Sequence, residues 1–226
     1  MSSAKYKDVK EKSKKDIATT FIVFAVFCCL SFLSRLFLPL FLVVLVFGIA
    51  FPLLWARKTK GWRLIGFKQK NRGQAFLWGL AAGIVIILYC ILSYFIEGGG
   101  PLPSMLELQL VFGIPIWLLI MSPFQEFFFR GWMQPQIIDY MGKWPGLIGT
   151  SFCFAIWHLF PPFEGTQTST IPIVSVSSMM TIFAFGMIWG YSFQRTKNII
   201  TPWIAHAIAG ITMVALGKMT FITFAS

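Results

Sequence analysis

Apolar runs long enough to cross a bilayer follow one another through almost the whole chain, at roughly 17–34, 37–56, 75–96, 108–138, 144–160, 171–193 and 199–217. A spanning helix needs about 20 such residues. With 226 residues, 57% hydrophobic, 12% charged and a mean hydropathy of +0.74, the chain has almost nothing left for a soluble domain. The expected fold is all-α, a polytopic transmembrane helical bundle of seven to eight segments. A basic tail at 1–16 precedes a single transmembrane domain at 17–226.

The net charge of +11 would suggest nucleic acid in a soluble protein, but its distribution argues otherwise. Six lysines lie in the tail (Lys5, Lys7, Lys10, Lys12, Lys14, Lys15) and seven cations between 57 and 72 (Arg57, Lys58, Lys60, Arg63, Lys68, Lys70, Arg72). Both blocks flank spans, so the positive-inside rule places them, and the N-terminus, in the cytoplasm of a multi-pass cell-membrane protein. The same alternation puts Lys143, Arg195 and Lys197 inside and Glu97, Glu107 and Glu164 outside; Arg35 and Lys218 are exceptions. No nucleic acid partner is expected. The first apolar run stays bulky to its end without a small-residue cleavage site, which reads as a retained anchor. Cys28, Cys29, Cys90 and Cys153 all fall within spans and read as packed thiols.

Residues 57–73 interleave Trp62, Leu64, Ile65 and Phe67 with cations, as expected of either a stretch on an anionic leaflet or a loop that sets topology. The segment EGGGPLPS at 97–104 is the strongest breaker and divides a front region from a back half. The run 108–138 is longer than one crossing needs and contains Pro115 and Pro123. A bent helix is expected there, its second half starting near Pro123; a full break would give the eighth segment.

That second half contains PFQEFFFRGWMQ, which sets Glu126 and Arg130 among phenylalanines. An ionised group at such depth is costly and is usually paired, shielded from lipid and functional. Four residues apart, the two share a helical face. Arg130, with its fixed fork of donors, reads as a holder of carboxylates and carbonyls. Glu126 lies between desolvation and a neighbouring cation and is a candidate base. The chain has two histidines, His158 and His206, both within spans. Each alone would tie helices together; with Glu126 they form a candidate shared site.

In order and spacing these residues resemble the CPBP family of intramembrane peptidases, which includes the CaaX prenyl endopeptidases and the Abi bacteriocin-processing or immunity proteins. That family carries the motifs EExxxR, FxxxH and HxxxN. Here they read QEFFFR (Gln125, Glu126, Arg130), FAIWH (Phe154, His158) and HAIAG (His206, Gly210), within a resemblance covering about 60–217. The resemblance implies hydrolysis of a peptide bond near the membrane face. A glutamate of the first motif and the histidine of the second would activate water, while the third motif stabilises the oxyanion. His158 would then hold the water, His206 would donate to the oxyanion and Phe154 would wall the site.

Two positions depart from the pattern. Gln125 stands where the family has its usual base and cannot take a proton, and Gly210 removes a side-chain oxyanion donor. Either Glu126 acts as the base or the protein is a weak or inactive scaffold or immunity-type protein; a proton-coupled transporter is a third reading. No cofactor is expected. His158, His206 and Glu126 make the ligand count of a catalytic zinc, although their spacing is not the local HExxH pattern. The expected partners are the lipid bilayer, a membrane-associated peptide or protein substrate, lipidated or not, and a further membrane protein.

Overall fold

The computed structural model describes residues 3–59, 61–67, 71–100, 102, 105–160 and 176–219, with side chains from residue 16 onward, and all regular structure among them is helical. The helices are α1 Ser3–Leu36, α2 Leu40–Thr59, α3 Trp62–Ile65, α4 Arg72–Ile96, α5 Leu106–Met141, α6 Lys143–Trp157, α7 Val176–Thr196 and α8 Ile200–Ala215. Within α1 the stretch Asp16–Leu36, together with α2, α4, α5 and α7, is long and apolar enough to cross a membrane, and α8 is a shorter apolar helix. Side chains such as Ile22, Leu42, Leu77 and Leu92 stay exposed on the bundle's outside, the surface a lipid-embedded protein presents. This is a multi-pass membrane protein. Every expected apolar run coincides with a helix; Glu164, Lys60, Lys68, Lys70 and the first residues of the run from 171 lie outside the described residues.

Small residues bring the helices into contact. In lipid there is no hydrophobic drive between helices, so close backbone approach does the packing. On α4, a Cβ at Gly79 would lie 2.9 Å from the Thr201 carbonyl oxygen, and one at Gly83 would lie 2.5 Å from Ile208 Cδ1, so these glycines seat α4 on α8. Gly186 and Gly190 do the same for α7. Their carbonyls accept from Arg130 Nη2 at 3.2 Å and from Gln134 Nε2 at 2.9 Å, two rungs one helical turn apart that tie α7 to α5.

Helix α5 does not break at its prolines. It runs continuously to Met141 through two wider π-helical stretches, Trp117–Met121 and Phe127–Met133. A π turn pairs each carbonyl with the N–H five residues on, and Pro123 has none to offer the carbonyl of Leu118. Trp203 Nε1 of α8 donates to that carbonyl instead, at 2.6 Å. The defect is satisfied by a neighbour, as membrane helices require.

From Ser122 to Gln134 every residue of α5 is buried, which makes it the central helix. Its three consecutive phenylalanines face three different neighbours. Phe127 packs near Phe67 and Trp203, Phe128 stacks on Phe27 of α1 with ring centroids 4.1 Å apart, and Phe129 meets Phe154 of α6 edge to face. The loop carrying α3 docks through Ile65, fully buried against Phe127, Phe193 and Ile199, and leaves Trp62, Leu64 and Phe67 exposed. Gly66, at φ +90°, turns its carbonyl to accept from the Ile199 amide, a conformation that favours glycine.

Candidate active site

Arg130 and Glu126 lie on the same side of α5 at the start of the second π stretch, and neither side chain is exposed. Burying either charge alone would be prohibitive, so they compensate each other. Arg130 Nη1 donates to Glu126 Oε1 at 3.3 Å, and the guanidinium carbon sits 4.3 Å from the centroid of the Phe154 ring. The same carboxylate oxygen takes a shorter bond, 2.7 Å, from His206 Nδ1 of α8. With the carboxylate ionised Nδ1 is the donor, and a neutral His206 ring then keeps its lone pair on Nε2.

His158 closes α6, and its Nδ1 lies 2.9 Å from the carbonyl oxygen of Phe154. A carbonyl cannot donate, so Nδ1 carries the proton, and in the neutral ring Nε2 is an acceptor here too. The Phe154 ring stands edge-on to both imidazoles, at centroid distances of 4.5 Å from His158 and 5.9 Å from His206. Trp189 of α7 lies flat on His206, 3.9 Å away and 15° from parallel. Four helices thus converge on one site, α5 with Glu126 and Arg130, α6 with His158, α7 with Trp189, and α8 with His206.

A cavity of about 520 Å³ leads to these histidines. Trp117, Phe154, Phe185, Trp189 and Met213 make its inner wall apolar, and Tyr89, Ser93, Glu97, Ser177, Thr181 and Lys218 line it toward the helix ends. There Lys218 Nζ donates to Glu97 Oε2 at 2.9 Å, and Ser93 donates to Glu97 Oε1 at 2.6 Å. These partners hold the exposed Glu97 carboxyl below the usual carboxylate range, Lys218 being the larger cause. Both histidines line the cavity, whereas Glu126, Arg130 and Gln125 do not. Glu126 stands behind His206 with its Oε2 buried and unpartnered, and Gln125 is buried with Oε1 likewise unpartnered.

Of the five residues the sequence singles out, three are joined by hydrogen bonds (Glu126, Arg130, His206) and a fourth, His158, shares their aromatic wall. Gln125 is not in the network through any described bond. Sequence reasoning missed the supports, Trp189, Trp117 and the carbonyl of Gly186. The small-xxx-small spacing of Gly186 and Gly190 is the one signal that could have found the last of these. Among the described residues no three His, Cys, Asp or Glu side chains are arranged to hold a metal ion.

The fold and site define a multi-pass helical membrane protein with a buried glutamate, arginine and histidine network beneath an apolar cavity. Residues 107–212 match the family model described as type II CAAX prenyl endopeptidase Rce1-like, a stretch that contains the whole network and agrees with the CPBP resemblance. The family is one of proteases. No curated protein and no solved structure matches the chain.

Proposed function

We propose that the protein is an intramembrane endopeptidase that hydrolyses a peptide bond at the inner end of the cavity, using water held by His158 and activated by the Glu126–His206 pair. The observation that carries this reading is the 2.7 Å bond from His206 Nδ1 to Glu126, which turns the other imidazole nitrogen into a base. With Nδ1–H of each histidine engaged, the two Nε2 lone pairs are the natural acceptors for one water. His206 takes the proton as the water adds to the carbonyl, and Glu126 stabilises the imidazolium that forms. The proton then passes to the leaving amine. Arg130 acts as a positioning residue, holding the carboxylate through Glu126 and anchoring itself on Gly186. In this scheme His206 serves as base and not as oxyanion donor, because its N–H is already committed.

The apolar inner wall suits a membrane-associated peptide with an apolar side chain or lipid, and the family's description suggests a prenylated one. Among the described residues Arg57, Lys58, Arg72, Lys143, Arg195 and Lys197 belong to the helix ends opposite the cavity's Glu97 and Lys218. With those ends cytoplasmic, the cavity leads toward the outer face, and the substrate comes from that face or laterally from the bilayer.

The test is cleavage of a quenched-fluorescence library of apolar peptides by the purified protein in liposomes. The wild type is expected to cleave, and His158→Ala to lose about 100- to 10,000-fold. Full activity in a folded His158→Ala protein excludes the mechanism. Gln125 and Gly210 favour a second reading, a scaffold that has kept the site and lost the reaction. No cleavage by the wild type, together with a stoichiometric copurifying membrane protein, would support it.

A further inference from the structure

If both cavity imidazoles are acceptors, something else must donate to the oxyanion, and Gly210 offers no side chain. The glycine is not an open gap. A Cβ placed there would fall 2.0 Å from Trp117 Cδ2, 2.3 Å from Cε3 and 2.4 Å from Cε2, so the indole of Trp117 fills the volume in which an asparagine would begin. The indole nitrogen is bonded to Cε2, one bond from one of these contact atoms. Trp117 lines the cavity with His158, His206 and Gly210, and its ring is inclined at 42° to the His206 ring, 5.8 Å away.

The residue is 6% exposed, and its Nε1 is buried without a hydrogen-bond partner. An unpaired buried N–H is destabilising, a cost that a phenylalanine there would avoid. Such a donor, fixed and shielded from water, is what stabilises charge that develops only in the transition state. Trp189 also has an unpartnered Nε1 beside the cavity, but its ring is stacked on His206, so its N–H runs alongside the imidazole.

We propose that the Trp117 indole N–H takes the place of the missing asparagine and donates to the oxyanion. This rests on the peptidase reading above. Water oxygen bonds to the carbonyl carbon, one water proton goes to His206 Nε2, and the carbonyl oxygen becomes an alkoxide facing the indole N–H. Collapse then breaks the C–N bond, re-forms the carbonyl and delivers the proton to the amine.

The experiment compares kcat and KM of wild type, Trp117→Phe, Trp132→Phe and the double variant Trp117→Ala/Gly210→Asn in liposomes, on the best-cleaved peptide of the library. Trp132 also has a buried, unpartnered indole N–H but does not line the cavity, so it controls for loss of an indole. Trp117→Phe is expected to lower kcat about 100- to 1000-fold at nearly unchanged KM, the size of one lost oxyanion donor. Trp132→Phe is expected to stay within a few-fold of wild type, and the double variant to recover at least tenfold over Trp117→Phe. Wild-type kcat in Trp117→Phe overturns the proposal. If Trp117→Phe does not fold, the double variant decides, an active folded protein supporting the exchange of donors and an inactive folded one overturning it. A wild type that cleaves nothing defeats the peptidase reading itself, and a wild type that needs His158 but not Trp117 defeats this inference alone.

Discussion

Glu126 and His206, 80 positions apart in the chain, are joined by a 2.7 Å hydrogen bond while Arg130 donates to the same carboxylate oxygen at 3.3 Å. One oxygen thus serves a base and a cation together. The arrangement explains why a charged pair stands in a run of phenylalanines: the carboxylate orients the histidine, and the guanidinium makes its burial tolerable.

Removing one partner of this group should cost more than removing two. Glu126→Gln leaves the guanidinium buried without its counter-charge, and about 3–5 kcal/mol of stability should be lost. Glu126→Gln combined with Arg130→Met should lose less than Glu126→Gln alone. Unfolding midpoints in one detergent, read for the three proteins, check this ordering.

The glycines at helix contacts should respond according to what lies opposite them. Gly79→Ala would place a methyl 2.9 Å from a backbone carbonyl of α8, which cannot swing aside, and about 1–3 kcal/mol of destabilisation is expected. Gly149 has only Ile137 Cγ2 at 3.7 Å, an ordinary contact. Gly149→Ala should therefore be neutral or stabilising, by up to about 1 kcal/mol from helix propensity. The same melts decide both.

The helical membrane architecture was legible because apolar runs of spanning length have few other solutions, and the motifs could be located because ionisable residues are scarce among them. What could not be read was orientation about the helix axis. Glu126 immediately precedes, and Arg130 lies within, a π stretch that changes the angular step between residues, so ideal α-helical geometry could not say which way Glu126 and Gln125 face. The filling of Gly210 by Trp117 was invisible for a similar reason. It depends on α5 and α8 meeting at one depth, and that is set by the Leu118 carbonyl taking the Trp203 N–H.

The ion pair at the outer end of the cavity should show in the pH dependence of stability. Glu97 is held below the usual carboxylate range, so its contribution is fully present above the ordinary carboxylate pKa and is lost as pH falls through its lower folded value. The melting difference between wild type and Glu97→Gln should accordingly be flat near neutrality and shrink toward zero under acid conditions. A difference that grows as pH falls would be the wrong sign.

Sidedness can be read with an impermeant maleimide on intact cells. A cysteine replacing exposed Leu102, between α4 and α5, should label from outside, whereas one replacing exposed Lys58 should label only after lysis. The reverse pattern would turn the cavity toward the cytoplasm.

The most direct measurement is the cleavage rate of one apolar peptide in liposomes by wild type, Glu126→Gln, His206→Ala and the variant carrying both. Residues that act as one unit give non-additive losses. Each single variant should lose at least about 100-fold, and the double should lose little more than the worse single. Wild-type rates in either single variant, or a double loss equal to the product of the two, would contradict a Glu126–His206 base.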